Sequence, residues 1–141
     1  MDDSFYTELS KAGKNYDGIH KHAIKSTPEI YKLLCSLFTS QYINPKTRAD
    51  ILTVIGYFII PEDIMNEKIL GPKGFIDDFL LAVSFLKKIE IDYDHETISQ
   101  HWDSDIDLHV VLNDYFDLVK KDYIYEYHKI KELLPTLFTY S

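Results

Sequence analysis

Two runs of sequence decide how this chain is read: Tyr57-Phe58-Ile59-Ile60-Pro61-Glu62-Asp63-Ile64, and, after a short connection, Gly74-Phe75-Ile76-Asp77-Asp78-Phe79-Leu80-Leu81-Ala82. Pro61 ends the first apolar run, because a proline ring removes a donor and clashes with the preceding helical turn. Two glycines and two prolines fall from Pro61 to Gly74, so a break is expected there, with room for one extra turn over 63–68. From Phe75 to about Ile89 the residues are apolar around most of a helical circumference. That pattern belongs to a helix enclosed by others.

Working outward, every neighbouring segment also reads as helix. Upstream, Asn44-Pro45 places a capping amide before a proline at the first helical position, and Ile51, Leu52, Ile55, Phe58 and Ile59 supply an apolar face. Ser26-Thr27-Pro28-Glu29 carries the same kind of start signal, opening a helix to about Tyr42. Its Ile30, Leu33, Leu34, Leu37 and Phe38 recur at steps of three and four, with Cys35 at the edge as inert filling. Before it, a short helix is expected over 4–14, with Phe5, Tyr6 and Leu9 apolar and Gly13 at its end, then a loop over 15–25.

Downstream, 89–94 reads as a linker, since no second alternating run exists to pair with it as a strand. Asp94 caps a short helix to Gln100, and Asp103-Ser104-Asp105 caps a longer one carrying Ile106, Val110, Leu112, Tyr115, Phe116 and Val119. A last helix from Tyr123 to about Phe138 presents Ile124, Tyr127, Ile130, Leu133, Leu134 and Leu137, and Pro135 bends or ends it. The expected fold is therefore all-α, a compact bundle of about five to seven helices forming one domain over 1–141.

Bulk composition supports this and narrows the function. The 141 residues are 45% hydrophobic and 27% charged, with 5 glycines and 5 prolines, as in an ordinary packed domain. One cysteine excludes an internal disulfide and points to a reducing, cytoplasmic setting. Met1-Asp2-Asp3-Ser4 leads into no apolar run, so no signal or transit peptide is expected. The apolar stretches are shorter than the ~20 residues of a membrane span. A net charge of -8 argues against a broad nucleic-acid face and against anionic lipid, while leaving room for a local basic patch.

The quoted runs resemble the YkvA-like family, small bacterial helical domains of unknown function. Its pattern is an aromatic-apolar helix end, Pro-x-Asp-apolar, a connection, and Gly-x-x-Asp-Asp opening an apolar helix. Pro61, Asp63, Gly74, Asp77 and Asp78 match it within Tyr57 to Ala82, in a family-like segment of about 51–90. Where that family usually has a second proline, this chain has Met65-Asn66. The resemblance implies a compact helical domain and no established reaction.

Residue chemistry offers two accounts of these positions. In the first, Asp63, Asp77 and Asp78 cap helix starts and Pro61 and Gly74 form a helix joint, each cap contributing about 1 kcal/mol. In the second, Asp63, Asp77 or Asp78, with Glu62 or Glu67, form an oxygen-rich Mg²⁺ or Ca²⁺ site. Adjacent side chains diverge by about 100 degrees, which argues against both Asp77 and Asp78 pointing inward. A weaker metal candidate is His101, Asp105 and His109, within a segment of two imidazoles and three carboxylates that lacks the glycine and distal glutamate of a calcium loop. His20 and His22 read as exposed polar residues.

No nucleophile motif, phosphate loop or dinucleotide fingerprint is present, so no catalytic residue is assigned and no cofactor is expected beyond a divalent metal. The 11 tyrosines suit a protein interface, with Tyr125 opposite the buried face of the last helix as a contact. The leading expectation is a non-enzymatic interaction or accessory protein with a protein partner. The alternative is a metal-dependent, hydrolase-like enzyme using the clustered carboxylates.

Overall fold

The computed structural model describes residues 6–7, 10–11, 18–59 and 74–133. Within them the fold is an all-α bundle without strands. Its α-helices are α1 (Lys21–Phe38), α2 (Pro45–Ile59), α3 (Gly74–Asp92), α4 (His95–Ser99), α5 (Phe116–Asp122) and α6 (Ile124–Leu133), and a π-helical segment, Val110–Tyr115, runs directly into α5. The expectations for Phe5, Leu9, Gly13, Pro61 to Lys73, and Leu134 to Phe138 fall outside the described residues.

The central position expected for the helix after Gly74 holds. Residues 76–86 of α3 are buried without interruption, and the helix packs against α1, α2, α4, the π-helical segment, α5 and α6. A helix that is apolar all round gains stability only when neighbours cover every side. One continuous core results, in which Phe79 and Phe85 of α3 join Leu34 and Leu37 of α1, Ile51 and Ile55 of α2, and Val111 and Val119 further along.

α1 begins earlier than the Ser26-Thr27-Pro28 signal suggests. It starts at Lys21, and Pro28 lies inside it. The Ser26 and Thr27 hydroxyls do not cap; both are buried and both donate back to the Ala23 carbonyl, at 2.7 and 3.2 Å. Ala23 and Ile24 extend the buried stripe one turn upstream, and that burial overrides the local start signal. The helix also ends sooner, at Phe38. Arg48 of α2 donates to the carbonyls of Phe38, Ser40 and Ile43, satisfying acceptors that the helix end and its loop leave open.

α2 starts as read, with Asn44 Oδ1 accepting from the Thr47 amide at 2.8 Å. Its buried face is Ile51, Val54, Ile55 and Phe58, while Leu52 is 49% exposed. The expected linker at 89–94 is mostly the continuation of α3, through Asp92. Asp94 caps α4 as expected, accepting from the Thr97 amide and hydroxyl, each at 2.8 Å. These bonds hold its carboxyl below the usual carboxylate range.

The next cap is not Asp103-Ser104-Asp105. Those residues lie in a loop, and Asp107 Oδ1 takes the His109 amide at 2.8 Å instead. The π-helical segment then changes the register. In an uninterrupted α-helix Tyr115 would follow Val111 on the buried face, but the wider turn brings Phe116 there and leaves Tyr115 half-buried. α6 buries Tyr127 and Ile130, whereas Ile124, expected on that face, is exposed.

Two measurements check this account. Phe79→Ala should cost about 3–5 kcal/mol by urea unfolding, through the cavity left in the enclosed helix. Pro28→Ala should instead stabilise by roughly 1 kcal/mol, because an interior proline costs about 3 kcal/mol that lost ring packing only partly offsets. A destabilised Pro28→Ala would mean that the ring is an essential part of the core. On the acid side, Asp94 contributes stability above its unfolded pKa of about 3.9, lost as pH falls through its depressed folded value. In Asp94→Asn the urea midpoint should therefore fall less steeply with pH below about 4.

Candidate functional site

Gly74 is the first residue of α3, and Asp77 and Asp78 follow in its opening turns. Both carboxylates are 1% exposed. The expectation that only one of them turns inward is corrected, because α3 is covered on every side and a divergence of about 100 degrees still leaves both within the protein. Burying two carboxylates requires that each be satisfied by hydrogen bonds or charge, and the positive end of the α3 dipole contributes to that. Asp63, Glu62, Glu67 and Pro61 lie outside the described residues. Among the described residues, no three His, Cys, Asp or Glu side chains form a group able to hold a metal ion.

The His101 to His109 segment is spread apart by its own bonds. His101 Nδ1 lies 2.7 Å from Ser36 Oγ on α1, Asp105 is exposed, and the His109 ring meets His95 edge-on at 6.0 Å. Trp102 pins the loop by donating from Nε1 to the Ile106 carbonyl at 2.7 Å. Glu29 of α1 stands beside this loop, in an open hollow shared with Asp103 and Asp105, and accepts the Tyr6 hydroxyl. That bond raises the Tyr6 phenol above its ordinary pKa.

His20 differs from its expected role as an exposed polar residue. It is buried, with Nε2 2.8 Å from Asp122 Oδ2 at the end of α5, and so ties the start of α1 to the far side of the bundle. His22 is exposed and stacks on Tyr115. Cys35 is half-buried, and burial pushes its thiol up, in keeping with inert filling. Tyr125 is 69% exposed on α6, with Lys129 Nζ 5.8 Å from its ring centre.

Sequence reading missed a second polar feature of α3. Ser84, Lys87, Lys88 and Ile91 share one helical face at steps of three, four and seven. They meet Phe116 and Lys120 of α5 and Tyr127 and Lys131 of α6 around a cavity of about 250 Å³. The residues span 84 to 131 in the chain, so no local motif marks them.

Comparison with known proteins gives a family of unknown function. A family model described as "Protein of unknown function (DUF1232)" matches residues 47–83, covering most of α2, the connection and the first half of α3. The chain is also similar to "Uncharacterized protein ORF9" of Methanothermobacter thermautotrophicus, 26% identical over 107 residues, which are 76% of this chain and 73% of that protein. No solved structure matches.

Asp77→Asn and Asp78→Asn should each lower stability by about 1–3 kcal/mol in urea unfolding, the usual cost of disturbing a buried charge-assisted hydrogen bond. Values near zero for both would show that the charges do not support the fold.

Proposed function

We propose that this chain is a non-enzymatic accessory module of YkvA-like type, acting in the cytoplasm by binding a protein partner through the outer face of α5 and α6. The observation that carries the reading is Tyr125, 69% exposed, with its neighbour Ile124 and, on α5, Leu118 also exposed, while Tyr127 and Ile130 of α6 are buried. Large amphipathic side chains held on a rigid helix lose little conformational entropy on binding, and a central tyrosine of this kind commonly anchors an interface. The net charge of -8 favours a partner with a basic surface, through steering and charge complementarity, and disfavours nucleic acid.

The alternative is a metal-dependent, hydrolase-like enzyme, supported by two adjacent carboxylates buried at the head of α3. The two readings separate cleanly. Added Mg²⁺, Mn²⁺ or Zn²⁺ would raise the melting temperature of a metal protein and leave that of an interaction module unchanged.

The interaction reading makes its own forecast. Tyr125→Ala should keep thermal stability within about 0.5 kcal/mol, since the side chain is exposed. It should also weaken retention of a salt-sensitive partner by about 2 kcal/mol in affinity measurements with the co-purified protein. A chain that remains monomeric and partnerless, or a partner retained equally by Tyr125→Ala, refutes it.

A further inference from the structure

The helical run from Leu108 to Asp122 carries two apolar pairs offset by one residue, Tyr115 with Leu118 and Phe116 with Val119. The three-residue step within each pair puts both members on one face of a helix. The π-helical turn buries the second pair, and it leaves Tyr115 half-buried and Leu118 43% exposed.

Closing that turn to an α-turn would shift α5 by one place. Tyr115 would take the site of Phe116, and Leu118 that of Val119. Phe116 and Val119 would move outward to the sites of Asp117 and Lys120. Each pair joins an aromatic ring to an aliphatic side chain, so apolar burial differs little between the two registers. The shift has room to end at Tyr123, where φ of -124° and ψ of 42° already break the helix before α6.

What selects the present register is polar. In an α-turn the Phe116 amide would donate to the Leu112 carbonyl. Here it donates to the Asn113 carbonyl, and Lys87 of α3 donates to that of Leu112 at 3.2 Å. Lys87 also reaches Asn113 Oδ1 at 3.3 Å, and Asn113 Nδ2 donates to the His109 carbonyl at 2.9 Å, so side chains occupy acceptors of the wide turn. At the far end, Asp122 stands 2.8 Å from buried His20 only while it is the last residue of α5.

We propose that α5 is a two-register device. The π-turn register, selected by Lys87 and by the His20–Asp122 pair, presents Leu118; the α register withdraws Leu118 into the core and turns Phe116 outward. Closely packed elements pass between discrete arrangements of this kind and do not deform continuously. The device rests on reading the outer face of α5 and α6 as the partner surface: a partner that grips Leu118 holds the π turn, and the α register weakens its binding.

The test is thiol labelling of the full chain, without any partner, in two single-cysteine variants, Leu118→Cys and Val119→Cys, each combined with Cys35→Ala. Position 118 should label about tenfold or more faster than position 119. Lys87→Met removes a charged donor from the wide turn and should reverse that order. Deleting Asn113 closes the turn while keeping Phe116 and Val119 inward, so in that background Lys87→Met should leave 118 the faster position. An unchanged order in Lys87→Met, or an equal gain at both positions, overturns the proposal. If Lys87→Met fails to fold, Phe116→Gln decides: the α register places the glutamine outside and gives a folded protein with 118 protected, whereas loss of the fold shows that no second register exists. Labelling needs no partner, so a partner retained by Tyr125→Ala would refute the surface reading and leave these rates standing.

Discussion

Everything in this bundle depends on enclosing α3. A helix buried continuously from Ile76 to Leu86 has no solvent face on which to place its polar residues, so the rest of the chain must both cover it and accommodate them. Coverage explains the architecture. α1 and α2 form one wall, and the π-helical segment with α5 and α6 forms the other, with α4 joined to α3 through the Asp94 cap. Accommodation explains where polar chemistry is found. The carboxylates Asp77 and Asp78 lie at one end of the helix and the hydroxyl and ammonium of Ser84 and Lys88 toward the other.

The same constraint accounts for what the sequence made legible. The central helix, the Asn44 and Asp94 caps, the stripe of Ile30, Leu33, Leu34 and Leu37, and the exposure of Tyr125 all follow from local periodicity or from a side chain bonding to its own backbone. Ser26-Thr27-Pro28 misled because a start signal describes a preference worth a few kcal/mol at most, whereas burial of Ala23 and Ile24 commits the upstream turn to helix. The cap at Asp107 and the exchange of Tyr115 for Phe116 were hidden for a different reason. A π-helical turn changes the period itself, and a period-based reading assumes that it is constant.

Of the candidate sites, sequence proximity favoured clusters that the fold pulls apart. His101 turns to Ser36 and His109 to His95, each held by a neighbour that no spacing rule could name. Buried His20 depends on Asp122, about a hundred residues away. The lysine-lined cavity is the converse case, assembled from three helices whose contributions look like ordinary solvated charges when read singly. Its one legible trace was the i, i+3, i+4, i+7 spacing of Ser84, Lys87, Lys88 and Ile91, on a helix otherwise too apolar to carry two lysines on a surface.

The two ends of α3 differ in how they handle charge. At its start, the unsatisfied amides and the helix dipole favour Asp77 and Asp78, so backbone electrostatics and side-chain charge oppose each other in sign and reinforce each other in stability. Near its end the dipole presents carbonyls, which repel an anion. On that side of the bundle Phe116 and Tyr127 lie against the ammonium groups of Lys87, Lys120 and Lys131.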